Sequence, residues 1–240
     1  MLIELDGVRL LTDPLLRNRV AHLRRVAPVD PDSLGEVDAV LLSHVHYDHL
    51  HLPSLRRLSH SVRIVAPLRA GPLLRRQGFE NVVELGAGDE TRVRGLVVRA
   101  THAEHPASRG PFMGKAASLG FVTAGSMSVY FAGDTDLFDG MAALGPLDVA
   151  LVPIWGWGPS LGPGHLDPRS AAEGVARLRA GVAVPIHWGT YYPLHERRGS
   201  FLVEPPEEFR RAVAELAPET DVRVLPLGGT LTISLSQKAR

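Results

Sequence analysis

The sequence of 240 residues contains no cysteine. That absence excludes disulfide bonds, thiolate nucleophiles and thiolate metal ligands. An excess of charge of one sign is also absent, because 26 basic side chains balance 26 acidic ones. Composition therefore gives no reason to expect a nucleic-acid partner or an anionic membrane surface.

Long hydrophobic runs are missing as well. No stretch approaches the roughly 18 apolar residues that a membrane-spanning helix needs. The apolar stretch at the N-terminus is interrupted by Glu4 and Asp6, unlike a signal peptide. We therefore predict a single domain over residues 1–240, without a transmembrane segment and located in the cytoplasm. The oligomeric state cannot be inferred from the sequence.

Hydrophobic periodicity predicts about a dozen short strands interleaved with a few helices, which favours two sheets with helices outside. A helix is expected to begin at Pro53, and loops are expected over 15–36 and 155–164. The other predicted helices span 67–77, 168–180 and 205–216, and the predicted strands span 2–5, 8–12, 38–42, 62–67, 82–85, 93–100, 118–123, 128–132, 148–154, 182–186 and, as a closing pair, 222–234.

Four candidate metal ligands follow the strand predicted over 38–42. They are His44, His46, Asp48 and His49, in the segment HVHYDH. Imidazole and carboxylate are the ligands that zinc and similar ions accept. A single histidine is more often a packed or surface residue, but four such side chains within six residues favour a metal site.

Further candidate ligands follow later predicted strands. The segment HAEH offers His102 and His105, FAGDTD offers Asp134, and VPIHWGT offers His187. Loops at the ends of several strands can converge on one site. The sequence therefore predicts a metal centre assembled from distant segments.

In this order, HVHYDH, AEH, AGDTD and PIHWGT resemble the ligand motifs of the metallo-β-lactamase superfamily. AEHPASRG and PIHWGT are most similar to the branch of the N-acylphosphatidylethanolamine-hydrolysing phospholipase D and the ascorbate-6-phosphate lactonase. The resemblance covers essentially the whole chain. It implies an α/β fold, a four-layer αββα sandwich with the metals at one edge of the two sheets.

The resemblance also implies a set of metal ligands. It places a first ion on His44, His46 and His105, with His102 as the alternative third ligand. A second ion would be held by Asp48, His49 and His187, and Asp134 would bridge the two. We expect two divalent ions, zinc by the donor set, with Mn²⁺ and Fe²⁺ as alternatives.

Other candidate roles depend on the same resemblance. Asp48 and Asp134 are expected to act in catalysis, and His165, in GPGHLDP, is a candidate acid for the leaving group, although it could instead cap a helix. Asp13 is expected to hydrogen-bond a ligand histidine. The candidate substrate-binding residues are Arg109, Trp155, Trp188 and Tyr191, with Trp157 and Tyr192 beside them; each could equally be an ordinary core or surface residue.

We expect a hydrolase that uses a metal-bridging hydroxide on a phosphodiester, either small or lipid-like. A lactonase or carboxylic ester hydrolase is the alternative, because only the electrophile differs. A metal-binding scaffold without catalysis is the alternative from another class. The bridging Asp134 disfavours a true β-lactamase, and only about fifty residues follow His187, too few for the helical domain of glyoxalase-type thioesterases.

Overall fold

A computed structural model describes residues 1–20, 23–109, 115–155, 162–193 and 203–234. The chain divides into two compact units. The first comprises Met1–Leu16, Asp30–Ser126 and Phe131–Asp134, and the second comprises Arg17–Val29, Met127–Tyr130 and Thr135–Arg240. The single domain over residues 1–240 stays a prediction.

The described residues form short strands and four α-helices. The strands are β1 (Leu2–Leu5), β2 (Val8–Thr12), β3 (Arg19–Val20), β4 (Leu23–Arg25), β5 (Ala39–Leu41), β6 (Arg63–Pro67), β7 (Val82–Leu85), β8 (Glu90–Val93), β9 (Leu96–His102), β10 (Ala107–Ser108), β11 (Lys115–Ala116), β12 (Leu119–Ala124), β13 (Ser128–Phe131), β14 (Leu147–Pro153), β15 (Ala180–Ile186), β16 (Tyr191–Pro193) and β17 (Asp221–Val222). The helices are α1 (Leu52–Leu55), α2 (Gly71–Arg76), α3 (Pro168–Leu178) and α4 (Glu204–Leu216).

The first unit contains a five-stranded sheet in the order β1-β2-β5-β6-β7. A tight turn at Asp6 and Gly7, both with positive φ, joins β1 to β2 as an antiparallel hairpin. The pairs from β2 to β7 are parallel, and all three residues of β5 are buried, as expected for a parallel strand covered on both faces. Strands β8, β9 and β12 pair antiparallel in the same unit.

One hydrophobic cluster of the first unit positions the HVHYDH segment. It contains Val40, Leu42, Val45, Leu50, Leu55, Ile64, Leu74 and Phe79. Val45 and Leu50 are fully buried and lie within and directly after the segment. Burial of each such side chain contributes about 1.5–3 kcal/mol, so the segment is anchored at both ends by the core.

The second unit contains the parallel strands β14, β15 and β17, with α3 packed against α4. Asp167 begins α3 as a capping box, since its carboxylate accepts from the Ser170 amide at 2.7 Å and Pro168 follows at the first helical position. A separate small sheet has the order β16-β4-β3. No helix among the described ranges is long and apolar enough to span a membrane.

Four expectations about local structure are corrected. Residues 93–100 are not one strand, because Arg94 at φ 50° and Gly95 form a turn between β8 and β9. Helix α2 starts at Gly71, since Pro67 is the last residue of β6. The segment 15–36 includes β3, β4 and a 3-10 turn at Pro31–Leu34. Of the predicted closing strand pair, only Asp221–Val222 is a strand; the Gly229 amide donates to the Pro226 carbonyl at 2.8 Å, forming a turn instead.

Candidate metal centre

The HVHYDH segment leaves the end of β5 and folds into a turn. The amides of His49 and Leu50 both donate to the His46 carbonyl, at 3.2 and 2.9 Å. This turn brings the side chains before and after it to one place. The His44 imidazole is fully buried, and 5% of His49 is exposed.

Three imidazoles of the first unit converge through their ring nitrogens. The Nδ1 of His46 lies 3.0 Å from the Nε2 of His44 and 3.1 Å from the Nε2 of His105. Nitrogens that bind one zinc ion each lie about 2.0–2.1 Å from it and, in tetrahedral geometry, roughly 3.3 Å from one another, close to the distances in this cluster. The spacing of this cluster fits a metal ion.

The third imidazole comes from His105 rather than His102. The Ser118 hydroxyl donates to the His105 carbonyl at 2.9 Å, and 7% of His105 is exposed. The His102 side chain is 54% exposed, and its Nε2 lies 3.1 Å from a Glu104 carboxylate oxygen. The geometry therefore favours His105 over His102 as the third imidazole of the cluster.

Asp13 and Ser43 set the protonation of His44. The Ser43 hydroxyl donates to the Asp13 carboxylate at 2.5 Å, so its oxygen is left to accept from His44 Nδ1 at 2.9 Å. Burial, and then the charge of His49, lower the pKa of His44 well below its ordinary value. The ring is therefore neutral, with its Nε2 lone pair directed toward His46.

Asp13 also holds His49. The Nδ1 of His49 donates to the Asp13 carboxylate at 2.7 Å. The backbone of Asp13 has a φ of 37°, a conformation that few residues other than glycine adopt readily. The His49 Nε2 then lies 3.3 Å from an Asp134 oxygen and 3.5 Å from an Asp48 oxygen.

The carboxylates around His49 require a nearby positive charge. Burial lowers the pKa of His49, but the charges of Asp134 and Asp13 outweigh burial and hold this pKa well above its ordinary value. A proton on His49 supplies the positive charge here, and a divalent cation can replace it. This donor set of one imidazole and two carboxylates fits a second metal ion.

Gly133 allows Asp134 to reach this position. Its φ is 63°, and a Cβ at this residue would lie 2.6 Å from the Ser43 Cβ and 2.9 Å from the Leu119 carbonyl oxygen. Only glycine permits so close a backbone approach. The chain therefore brings the next residue, Asp134, beside the HVHYDH segment.

Arg109 is bound to the backbone of the same segment. Its Nη1 donates to the carbonyls of Val45, at 2.9 Å, and Leu50, at 2.6 Å. Its guanidinium lies 4.2 Å from the centre of the exposed Tyr47 ring, and burial lowers the pKa of Arg109. The sequence suggested Arg109 for substrate binding, and these contacts were not expected. Ser43 was also missed, although its position directly before His44 was a usable signal.

The second unit holds His187 and His165. The Nδ1 of His187 donates to the Trp155 carbonyl at 2.8 Å, which orients the ring. The Nδ1 of His165 donates to the Gly162 carbonyl at 3.2 Å. Asp136 accepts from the Leu137 amide at 2.7 Å and, at 3.4 Å, from Gly164, beside His165.

The aromatic candidates also lie in the second unit. Trp155 lines a groove of about 580 Å³ with residues of α3 and α4. The Trp188 indole donates to the Pro185 carbonyl at 3.0 Å, and the Tyr191 hydroxyl donates to the Arg17 carbonyl. Burial raises the pKa of Tyr191. Trp157 falls outside the described residues, and all these substrate roles stay predictions.

Known proteins are similar to this chain over most of its length. A family profile described as "Beta-lactamase superfamily domain" matches residues 8–188. The chain is 33% identical over 233 residues to a UPF0173 metal-dependent hydrolase of Methanopyrus kandleri, covering 94% of this chain and 93% of the relative.

Solved structures support the fold. Igni18, a metallo hydrolase from Ignicoccus hospitalis, aligns with a TM-score of 0.75 and 27% identity over 98% of this chain and 94% of that chain. An isothiocyanate hydrolase from Delia radicum gut bacteria aligns with a TM-score of 0.74 over 97% and 95%; at 23% identity it shows the fold alone. The expected α/β metallo-β-lactamase fold is confirmed. The chain belongs to the β-lactamase superfamily and, within it, to the UPF0173 family of metal-dependent hydrolases.

Proposed function

We propose that this protein is a hydrolase that uses two divalent metal ions to cleave a phosphodiester. One observation carries the proposal: the buried cluster of the first unit offers two adjacent donor environments. Three imidazole nitrogens converge at His46, and two carboxylates face the Nε2 of His49.

The proposed ligands follow from these environments and from the sequence motifs. His44, His46 and His105 hold a first ion, and Asp48 and His49 hold a second, with Asp134 shared. His187 is assigned to the second ion from its motif, and its Nδ1 hydrogen bond to Trp155 makes Nε2 the nitrogen that would bind the ion. Nitrogen and oxygen donors without thiolate favour zinc, with Mn²⁺ or Fe²⁺ as alternatives.

The protein's own groups carry out the remaining steps. When bound, such a metal pair supplies hydroxide at neutral pH and polarises the reacting group. The carboxylate of Asp48 accepts a hydrogen bond from the attacking nucleophile and so orients it. The Nε2 of His165 takes up the proton that the attacking water releases and delivers it to the leaving oxygen. Asp13 keeps His44 and His49 in their orientations throughout, through the bonds described above.

The substrate class rests on motif similarity. AEHPASRG and PIHWGT resemble the phospholipase-like branch, which favours cleavage of a P–O bond in a small or lipid-like molecule. The names of the relatives support hydrolysis without naming a substrate. A lactone or carboxylic ester is the second candidate, because the same donor set polarises a carbonyl oxygen equally well.

Turnover of two activated substrates would test the proposal. Zinc-loaded protein would be assayed on a chromogenic phosphodiester and on an activated lactone, alongside His165→Ala. We expect hydrolysis of the phosphodiester. With an alkyl leaving group, whose oxygen must be protonated, removal of the proposed acid should lower kcat by about 10²-fold or more. With the activated chromogenic substrate, whose leaving group needs no proton, the loss should be far smaller.

His102→Ala is the matched control for His165→Ala, because it also removes one histidine side chain. His102 is exposed, although it lies close in sequence to His105. It should keep wild-type metal affinity and activity. Turnover of the lactone alone would assign the protein to the lactonases. Silence on both substrates with intact metal binding would favour a scaffold without catalysis.

A further inference from the structure

An arginine-rich hairpin lies in the second unit. Strands β3 and β4 pair antiparallel, with Arg19 directly opposite Arg24. Both side chains are exposed, and Arg17 and Arg25 lie next to them in the sequence. We call residues 17–20 and 23–26 the arginine hairpin.

The pairing of Arg19 with Arg24 is unfavourable by itself. Side chains directly opposite in an antiparallel pair have Cβ atoms about 4.5–5.5 Å apart, and like charges there are destabilising. The other cross-strand neighbour of Arg24 is Tyr192, which carries no negative charge. Within the described parts of the chain, neither Arg19 nor Arg24 makes an ion pair. An anion bound between Arg19 and Arg24 would attract both guanidinium groups and so offset their mutual repulsion.

The hairpin is fixed beside the segment that follows His187. Arg25 is paired with Tyr191 in the register of β4 and β16, and its guanidinium lies 4.8 Å from the centre of the Tyr191 ring. The Val26 amide donates to the Thr190 carbonyl at 2.9 Å. The Tyr191 hydroxyl reaches the Arg17 carbonyl. Both strands of the hairpin are thus attached, within one unit, to the segment carrying a proposed ligand.

We propose that Arg19 and Arg24 bind the phosphate oxyanion of the substrate. Two guanidinium groups side by side offer several N–H donors in planar forks, which match the oxygens of a phosphate. The inference rests on the proposed function, since it makes the hydrolase selective for an anionic substrate. It also assigns a role to the arginine hairpin, for which the sequence predicted only a loop.

Kinetics on two substrates would test the site. The double variant Arg19→Gln/Arg24→Gln removes both charges, and Arg92→Gln is the matched control, an exposed arginine on β8 opposite Val97. In the double variant, KM for the anionic phosphodiester should rise about fivefold with little change in kcat. KM for an uncharged lactone should not change, and the control should resemble wild type. Equal increases in KM for both substrates, or no increase in KM for either, would overturn the proposal.

Thermal stability separates a binding role from a structural one. Because the substitutions remove a like-charge pair, Tm of the double variant should equal or exceed that of wild type. A clear fall in Tm would contradict the proposal, since it would show that these side chains stabilise the fold.

A binding measurement does not depend on turnover. Inorganic phosphate would be titrated into the zinc-loaded wild type, the double variant and the control, and followed by calorimetry. Phosphate affinity should fall about fivefold in the double variant alone. Unchanged affinity would refute the arginine site even in an active enzyme. A selective loss would support the site even if the phosphodiester were not hydrolysed, which would contradict the proposed function separately.

Discussion

At the scale of single residues, Asp13 is the polar group that connects His44 and His49 of the candidate centre. One of its oxygens accepts from both the Ser43 hydroxyl and His49 Nδ1, and the other accepts from the Ser43 amide at 2.8 Å. Through Ser43 it also determines which nitrogen of His44 carries the proton. One carboxylate therefore orients two proposed ligands, one for each ion.

Asp13→Asn should weaken metal binding without unfolding the protein. The amide has the same size, but its nitrogen cannot accept from Ser43 or His49, so both rings lose their fixed orientation. We expect metal affinity to fall by about 10- to 100-fold, measured by competition with a chromogenic chelator. Asp32→Asn, at a largely exposed carboxylate, should have no effect. Equal affinities in both variants would show that Asp13 does not orient ligands.

Variants of Arg109 distinguish a role in positioning the HVHYDH segment from a role in substrate binding. Arg109→Met leaves the buried carbonyls of Val45 and Leu50 without this donor, at a cost of about 1–3 kcal/mol for each group. We expect lower Tm and weaker metal binding, with partial recovery in Arg109→Lys, which restores one N–H donor group. If Arg109 instead binds substrate, KM will rise while metal affinity stays at the wild-type value.

At the scale of elements, Asp38, directly before β5, links this strand to β2 and to the turn between β8 and β9. Its carboxylate accepts from the Arg9 amide of β2 at 2.8 Å and from Arg94, in the turn between β8 and β9, at 2.6 Å. The hydrogen bond from Arg9 lowers the pKa of Asp38; burial opposes this effect, and Arg94 adds to the lowering.

The lowered pKa of Asp38 predicts a pH-dependent contribution to stability. A carboxylate with a lower pKa in the folded state stabilises the fold above its unfolded pKa, near 4, and loses this contribution as pH falls through the folded value. At pH 7, Asp38→Asn should lower Tm by about 3 °C, and the difference from wild type should shrink below about pH 3. Thermal melts across this range provide the measurement. Asp139→Asn, at a fully exposed carboxylate, should show no such trend.

At the scale of the whole molecule, metal binding should contribute to folding stability. The carboxylates of Asp13, Asp48 and Asp134 are partly or fully removed from water around His49. Without a metal ion, a proton on His49, whose pKa is raised, supplies positive charge beside them. Cations that bind the folded state alone stabilise it in proportion to the logarithm of their concentration.

Removal of metal with a chelator should therefore lower Tm. At a zinc concentration of about 100 times Kd, the stabilisation is roughly 2.7 kcal/mol, or about 5–10 °C for a chain of this size. Zinc should restore Tm, and elemental analysis should then find two ions per chain. Asp134→Ala should reduce that number, and an unchanged number would refute the shared ligand.

The motifs with the candidate ligands and most strands are predictable from the sequence alone, because they depend on local spacing. HVHYDH places four donors within six residues, and alternation or continuous apolar runs predicted the strands on either side. The closing strands were wrong because Pro226 and Gly228 interrupt an otherwise apolar pattern.

Contacts between segments far apart in the chain follow only from the tertiary structure. His105 and His102 have similar local sequences, and the choice between them follows from the direction in which the chain leaves β9. The contacts of Arg109 with Val45 and Leu50 join residues 64 and 59 positions apart. Such contacts depend on how the core brings strand ends together, and local propensity carries no information about that arrangement.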